Sequence, residues 1–178
     1  MPRQEDLTQE ITSHFMNPKN YGELFDADGV GIGKDNATKA YVIMYINHDN
    51  KTINEVRFAT SGSQDTITLG SMLCEMIEGD SIENVLLGVT QLEKDLQDAY
   101  ALVEKPEIDM SKPEAQRVKA ISTEQQDSAN MVLTAFRAAM RHIERKQEGI
   151  EEKQFAMNIA KICPYSSTDC HFMMENQD

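Results

Sequence analysis

The chain has 178 residues, 40% of them hydrophobic, with a formal net charge of −13 and an isoelectric point near 4.7. A core can form from that content, but a surface so negative repels phosphate backbones and excludes nucleic acid as a partner. No apolar run approaches the roughly 18 residues that read as a bilayer span, and the polar stretch Met1 to Glu10 is no secretory signal. A cytoplasmic protein without a membrane segment is expected.

Leu7, Ile11, His14 and Phe15 share one face at helical spacing and predict a first helix. Asn17-Pro18 ends it, because proline restricts the residue before it and lacks an amide hydrogen. From Tyr21 to Lys34, Gly22, Gly29, Gly31 and Gly33 predict an irregular or edge-strand segment with sharp turns. Ala40 to Ile46 is β-branched, aromatic and short, which predicts a strand buried on both faces. After the polar turn Asn47 to Thr52, Ile53 to Thr60 alternates, with Val56 and Phe58 on one side and Glu55 and Arg57 on the other. The two runs make an antiparallel hairpin.

Helical periodicity takes over after Gly62. Leu69, Met72, Leu73 and Met76 form one stripe, widened by Ile67, Cys74 and Ile77. Gly79 ends that helix, and Ser81 caps a short second one carrying Ile82, Val85 and Leu86. A third runs from about Gln91 to Leu102, and a loop containing Pro106 and Pro113 follows. Ser122 with Gln125 has the pattern of a capping box, opening a helix with Ala129, Val132, Phe136, Ala139, Met140 and Ile143 on one face. Beyond Gly149, Phe155, Ile159 and Ile162 share a helical face. The predicted fold is α+β: a small antiparallel three-stranded sheet packed against several helices over residues 1–147. Residues 148–178 form a C-terminal extension, a helix followed by a tail containing Cys and His.

The segment His14-Phe-Met-Asn-Pro-Lys-Asn-Tyr-Gly22, followed by Asp26-Ala-Asp-Gly-Val-Gly31, resembles the N-terminal scaffold domain of NifU and the related IscU proteins. The resemblance continues through the Ala40–Ile46 strand, Phe58-Ala-Thr-Ser-Gly62, Met76-Ile-Glu-Gly79 and Asn130-Met131, and covers about residues 5–146. It implies an iron–sulfur cluster assembly scaffold, a carrier rather than an enzyme. Its expected partners are proteins of that pathway: a cysteine desulfurase, a chaperone or another scaffold. In that family three cysteines hold the nascent cluster, because thiolates are the soft, anionic ligands that iron–sulfur units require. The corresponding positions here are Asn36, in a loop shortened by about two residues, Ser63 after Gly62, and Ser128. Asp127 stands where a histidine sometimes assists. A serine hydroxyl is a hard donor with a very high pKa, and Asn36 offers only a neutral amide oxygen. The resemblance therefore implies an iron–sulfur cargo, while the residues present predict a site that holds none and a protein with an accessory or regulatory role.

Three cysteines do occur, Cys74, Cys163 and Cys170, too few and too sparse for a disulfide framework. Cys74 lies within an apolar helical pattern and is expected to pack as a small hydrophobe. Cys163, Cys170 and His171 offer part of a zinc or iron site, a reversible redox pair, or plain tail residues, and spacing does not choose among these. Asp26 and Asp28 are expected to form turns, Ser63 to cap a helix, His14 to pack in a docking segment, and His48 and His142 to be solvated.

Overall fold

In the computed structural model, which describes residues 4–103 and 123–159, the chain runs through eight elements. These are α1 (Gln4–Met16), β1 (Gly29–Lys34), β2 (Tyr41–His48), β3 (Ile53–Thr60), α2 (Gln64–Ile77), α3 (Ile82–Val103), α4 (Thr123–Gln147) and β4 (Phe155–Asn158). The fold is α+β, but the sheet has four strands, not three, in the order β3-β2-β1-β4. Neighbours β1/β2 and β2/β3 are antiparallel, and β4 is added parallel to β1.

The extra strand corrects the helix expected in the extension. Phe155 and Ile159 are four residues apart, a spacing that satisfies both a helical turn and two strand repeats. Tertiary contacts choose the strand. The Arg145 guanidinium lies 5.2 Å from the Phe155 ring centroid, Ile159 is buried, and the open edge of β1 supplies hydrogen-bond partners. Ile162 lies outside the described residues.

The glycines of β1 have a packing role rather than a turn role. A Cβ on Gly31 would sit 2.0 Å from the Ala139 nitrogen and 2.3 Å from the Ala135 oxygen, both backbone atoms of α4. On Gly33 it would sit 2.3 Å from the Met131 oxygen. Every second residue of β1 is thus reduced to backbone so that α4 can lie directly on the sheet, with Ala135, Ala138 and Ala139 opposite. An inner strand results where an irregular or edge segment was expected.

Strand β2 is buried on one face rather than two. Val42, Met44 and Ile46 have no exposed surface, whereas Tyr41 is exposed and Ile43 and Tyr45 are partly so. On β3, Val56 and Phe58 point into the same core, as their alternation predicted. From α2 the core takes Leu73, Cys74 and Ile77, while Met76 on the expected primary stripe is exposed. Helix α3 is one 22-residue helix across the break expected near Leu86. Its start is as predicted: Gly79 has φ +84°, and the Ser81 hydroxyl accepts the Asn84 N–H at 3.2 Å. Ala129, Val132, Phe136, Ala139 and Ile143 of α4 are buried; Ser122 lies outside the described residues.

His142 is another correction. It is wholly buried, with Nδ1 accepting the Val30 N–H at 2.9 Å and Nε2 2.8 Å from the Glu152 carbonyl. The first bond requires an unprotonated Nδ1, so Nε2 carries the proton and donates to Glu152. This neutral imidazole ties β1, α4 and the approach to β4 together.

Candidate functional site

The ends of β1 and β3 and the first turns of α2 and α4 meet at one end of the sheet, and there the structure brings Ser63 and Ser128 together. Ser63 precedes α2 with extended backbone (φ −70°, ψ 173°), the geometry of a helix N-cap, yet its side chain makes no cap bond. The expected capping role is therefore only a backbone one. Its hydroxyl lies 3.4 Å from that of Thr66, one turn into α2, and the Thr66 hydroxyl donates to Ser128 Oγ at 2.9 Å. Thr66 and Ser128 are buried. One hydroxyl thus touches two of the three positions where the resemblance places cysteines. Thr66 was not singled out from sequence, although a hydroxyl three residues after Ser63 in an opening helix was a readable signal.

Asn36 stands apart from this chain of hydroxyls. It is exposed in the β1–β2 turn and lines a pocket of about 280 Å³ with Ile32, Lys34, Lys39 and Tyr41. Ile32 and Lys34 alternate with the glycines that meet α4, so this pocket opens on the sheet face away from α4. The turn is organised by buried Asp35, whose carboxylate accepts the Ala37 N–H and the Thr38 hydroxyl, each at 2.9 Å. Asp127 is partly buried beside Ser128 in sequence. The donor set, two hydroxyls bonded through a third and one exposed amide, does not fit an iron–sulfur cargo.

No other metal centre takes its place: among the described residues no group of three or more His, Cys, Asp or Glu side chains is arranged to hold an ion. Cys163, Cys170 and His171 lie outside the described residues. Cys74 is buried between α2 and the core, and that burial pushes its thiol far above the usual cysteine range. Asp28 ties the approach to β1 to the end of β2 rather than closing a local turn: its carboxylate accepts the His48 N–H at 2.9 Å. His48 is partly buried, and its Nδ1 accepts the Asn50 N–H at 3.0 Å.

The N-terminal segment is held by polar groups. His14 is buried, with Nδ1 2.7 Å from Ser71 Oγ and Nε2 2.9 Å from Glu75. Ser71 Oγ also accepts the Lys19 N–H at 2.7 Å, so one hydroxyl ties α1 and the chain after it to α2. His14 Nε2 faces the Glu75 carboxylate, which the Lys19 ammonium also meets. Lys19 first, and His14 with it, hold the Glu75 carboxyl below the usual range. The connectivity resembles that of a hydrolytic triad, but Ser71 is wholly buried and its oxygen is already engaged by a backbone N–H. The network is an anchor. Further on, Asn20 adopts φ +60° and its amide donates at 2.8 Å to both the Val56 carbonyl and Glu78. Phe58 N–H donates to the Asn20 carbonyl and Gly22 N–H to the Phe58 carbonyl. The Asn-Pro-Lys-Asn-Tyr-Gly run thereby lies along the free edge of β3.

The profile of the family described as NifU-like N terminal domain matches residues 6–149. The iron-sulfur cluster assembly scaffold protein IscU of Aquifex aeolicus is 37% identical over 83 residues, which is 46% of this chain and 53% of that protein. The nitrogen fixation protein NifU of Azospirillum brasilense is 36% identical over 88 residues, 48% of this chain and 28% of that one. The chain spans about half the length of the IscU relatives it matches. A crystal structure of the N-terminal part of a NifU-like protein from Brucella abortus has a TM-score of 0.49 and 14% identity, covering 78% of this chain and 94% of that one.

Proposed function

This chain belongs to the NifU-like N terminal domain family, and from that premise we propose that it serves iron–sulfur cluster assembly as an accessory or regulatory scaffold-like protein. In this reading it holds no cluster at the family position and acts through protein contacts, with a cysteine desulfurase, a chaperone or another scaffold as partner. The observation that carries it is the hydroxyl chain. Thr66 joins Ser63 to Ser128, so at two of the three positions that would present thiolates a hydroxyl meets the Thr66 hydroxyl instead. The N-terminal segment, in contrast, keeps a complete anchoring network. No step of catalysis is assigned to any residue.

Anaerobic incubation of the full chain with ferrous iron and sulfide, followed by desalting, tests the vacant site. The Cys163→Ser/Cys170→Ser variant is expected to show no sulfide-to-iron charge-transfer absorbance. A stable cluster in that variant would overturn the reading.

A second reading is supported by the position of Ile159. Its N–H donates to the Lys34 carbonyl at 2.8 Å, two residues before Asn36. Cys163 follows four residues later, a length of chain that spans at most about 14 Å. A metal- or redox-responsive site using Cys163, Cys170 and His171 is then within reach of the turn that contains Asn36. Stoichiometric zinc or iron in the purified chain, lost on changing Cys163 and Cys170 to serine, is the expected result; a metal-free parent chain removes this reading.

A further inference from the structure

Between α2, α3 and the first half of α4, with α1 at one rim, lies a groove of about 490 Å³. Its walls are Leu69, Met72 and Met76 of α2, Leu92 and Leu96 of α3, and Leu133 of α4, and its mouth has Glu10 and Glu75. The stripe that reads from sequence as the core face of α2 is therefore the wall of this groove, and Met76 is 49% exposed in it. Leu73 both lines the groove and reaches the core, while Cys74 and Ile77, to one side, make the other core contacts of that helix.

We propose that this groove takes a basic amphipathic helix of a protein partner. Its walls are helices carrying unbranched, adaptable methionine and leucine side chains, the surface against which the apolar stripe of a helix packs. Charge narrows the occupant. Glu10 has no cation beside it among the described residues, and Asp95, which flanks Leu92 and Leu96 on α3, accepts only a neutral amide from Gln91. Glu75 is already paired with the Lys19 ammonium. An acyl chain with an anionic head meets this negative rim unfavourably, and so does a second copy of a chain whose net charge is −13. A helix with leucines on one face and lysines or arginines on the other satisfies both the walls and the rim.

The inference rests on the reading that the chain works through its surface. The iron and sulfide experiment decides the vacant site separately, so the two can fail independently. The probe is a synthetic 17-residue helix of leucine and lysine in amphipathic register, titrated calorimetrically into the full chain beside a peptide of scrambled order. Saturable one-to-one binding of the ordered peptide is expected, with the scrambled one at least tenfold weaker. Met76→Lys and Glu10→Lys, both at exposed positions, should each weaken binding at least fivefold without moving the thermal melt. Equal binding of the two peptides, or unchanged binding by both variants, reduces the effect to general attraction by an acidic surface and overturns the proposal. Absence of any binding overturns it as well.

Discussion

Replacing Gly31 by alanine tests the contact on which the whole domain is built. The new Cβ would lie 2.0 Å from the Ala139 nitrogen, 2.3 Å from the Ala135 oxygen and 2.6 Å from the Ala138 carbonyl carbon. These are backbone atoms in the middle of α4, so no rotamer change relieves the clash; the helix has to lift from the sheet by more than an ångström. Overpacking a core that can adjust its side chains costs about 1–3 kcal/mol, and a rigid obstacle places this case at about 3 kcal/mol or more. For a chain of this size each kcal/mol moves the melting temperature by about 2–4 °C, so a fall of about 6–12 °C is expected. Gly88 is the control, since a Cβ there meets nothing within 4 Å. In the interior of α3 the same change should stabilise by about 0.5–1 kcal/mol. Thermal melts followed by far-ultraviolet circular dichroism, with urea titration alongside, read both variants. If Gly31→Ala melts within a degree or two of the parent, or shifts in the same direction as Gly88→Ala, the account of β1 as a strand stripped for helix contact is wrong.

Glu152 provides a pH prediction. Arg145 donates to it at 2.9 and 2.6 Å and holds its carboxyl below the ordinary 4.5. A carboxylate whose pKa is depressed in the folded state contributes stability that is present above the unfolded value and lost as pH falls through the folded one. The melting temperature of Glu152→Gln should therefore lie below that of the parent at pH 7, and the gap should close as the pH is lowered below 4.5. A gap independent of pH contradicts the pairing. Cys74 supplies a chemical test, because its thiol is buried and its pKa strongly raised. In the Cys163→Ser/Cys170→Ser variant, a maleimide at pH 7.5 should leave the native chain unlabelled and label one thiol in denaturant. Rapid labelling of the native variant would show that the α2 face is misplaced.

How much was legible depends on whether neighbours in sequence or neighbours in space make the decision. The hairpin of β2 and β3, the helix ends at Gly79 and Ser81, and the apolar face of α4 follow from local periodicity and local backbone chemistry, and the structure has them. The ordered motifs from His14 to Met131 placed the chain in its family without any coordinates. Three features were not local. Gly29, Gly31 and Gly33 read as an irregular or edge-strand segment until α4, distant in sequence, lies against them. Phe155 and Ile159 fit either period until the edge of β1 chooses the strand. His142 reads as solvated until Val30 and Glu152 close on both ring nitrogens.

At the site, the sequence by itself determined the chemistry: hydroxyls and an amide stand at the positions where the resemblance places cysteines, and no fold turns those into soft anionic ligands. Only the tertiary structure decided how they are arranged. Packing α2 against α4 puts Thr66 between Ser63 and Ser128, joining two positions sixty-five residues apart through one buried hydroxyl, while the β1–β2 turn leaves Asn36 exposed beside a pocket on the other face of the sheet.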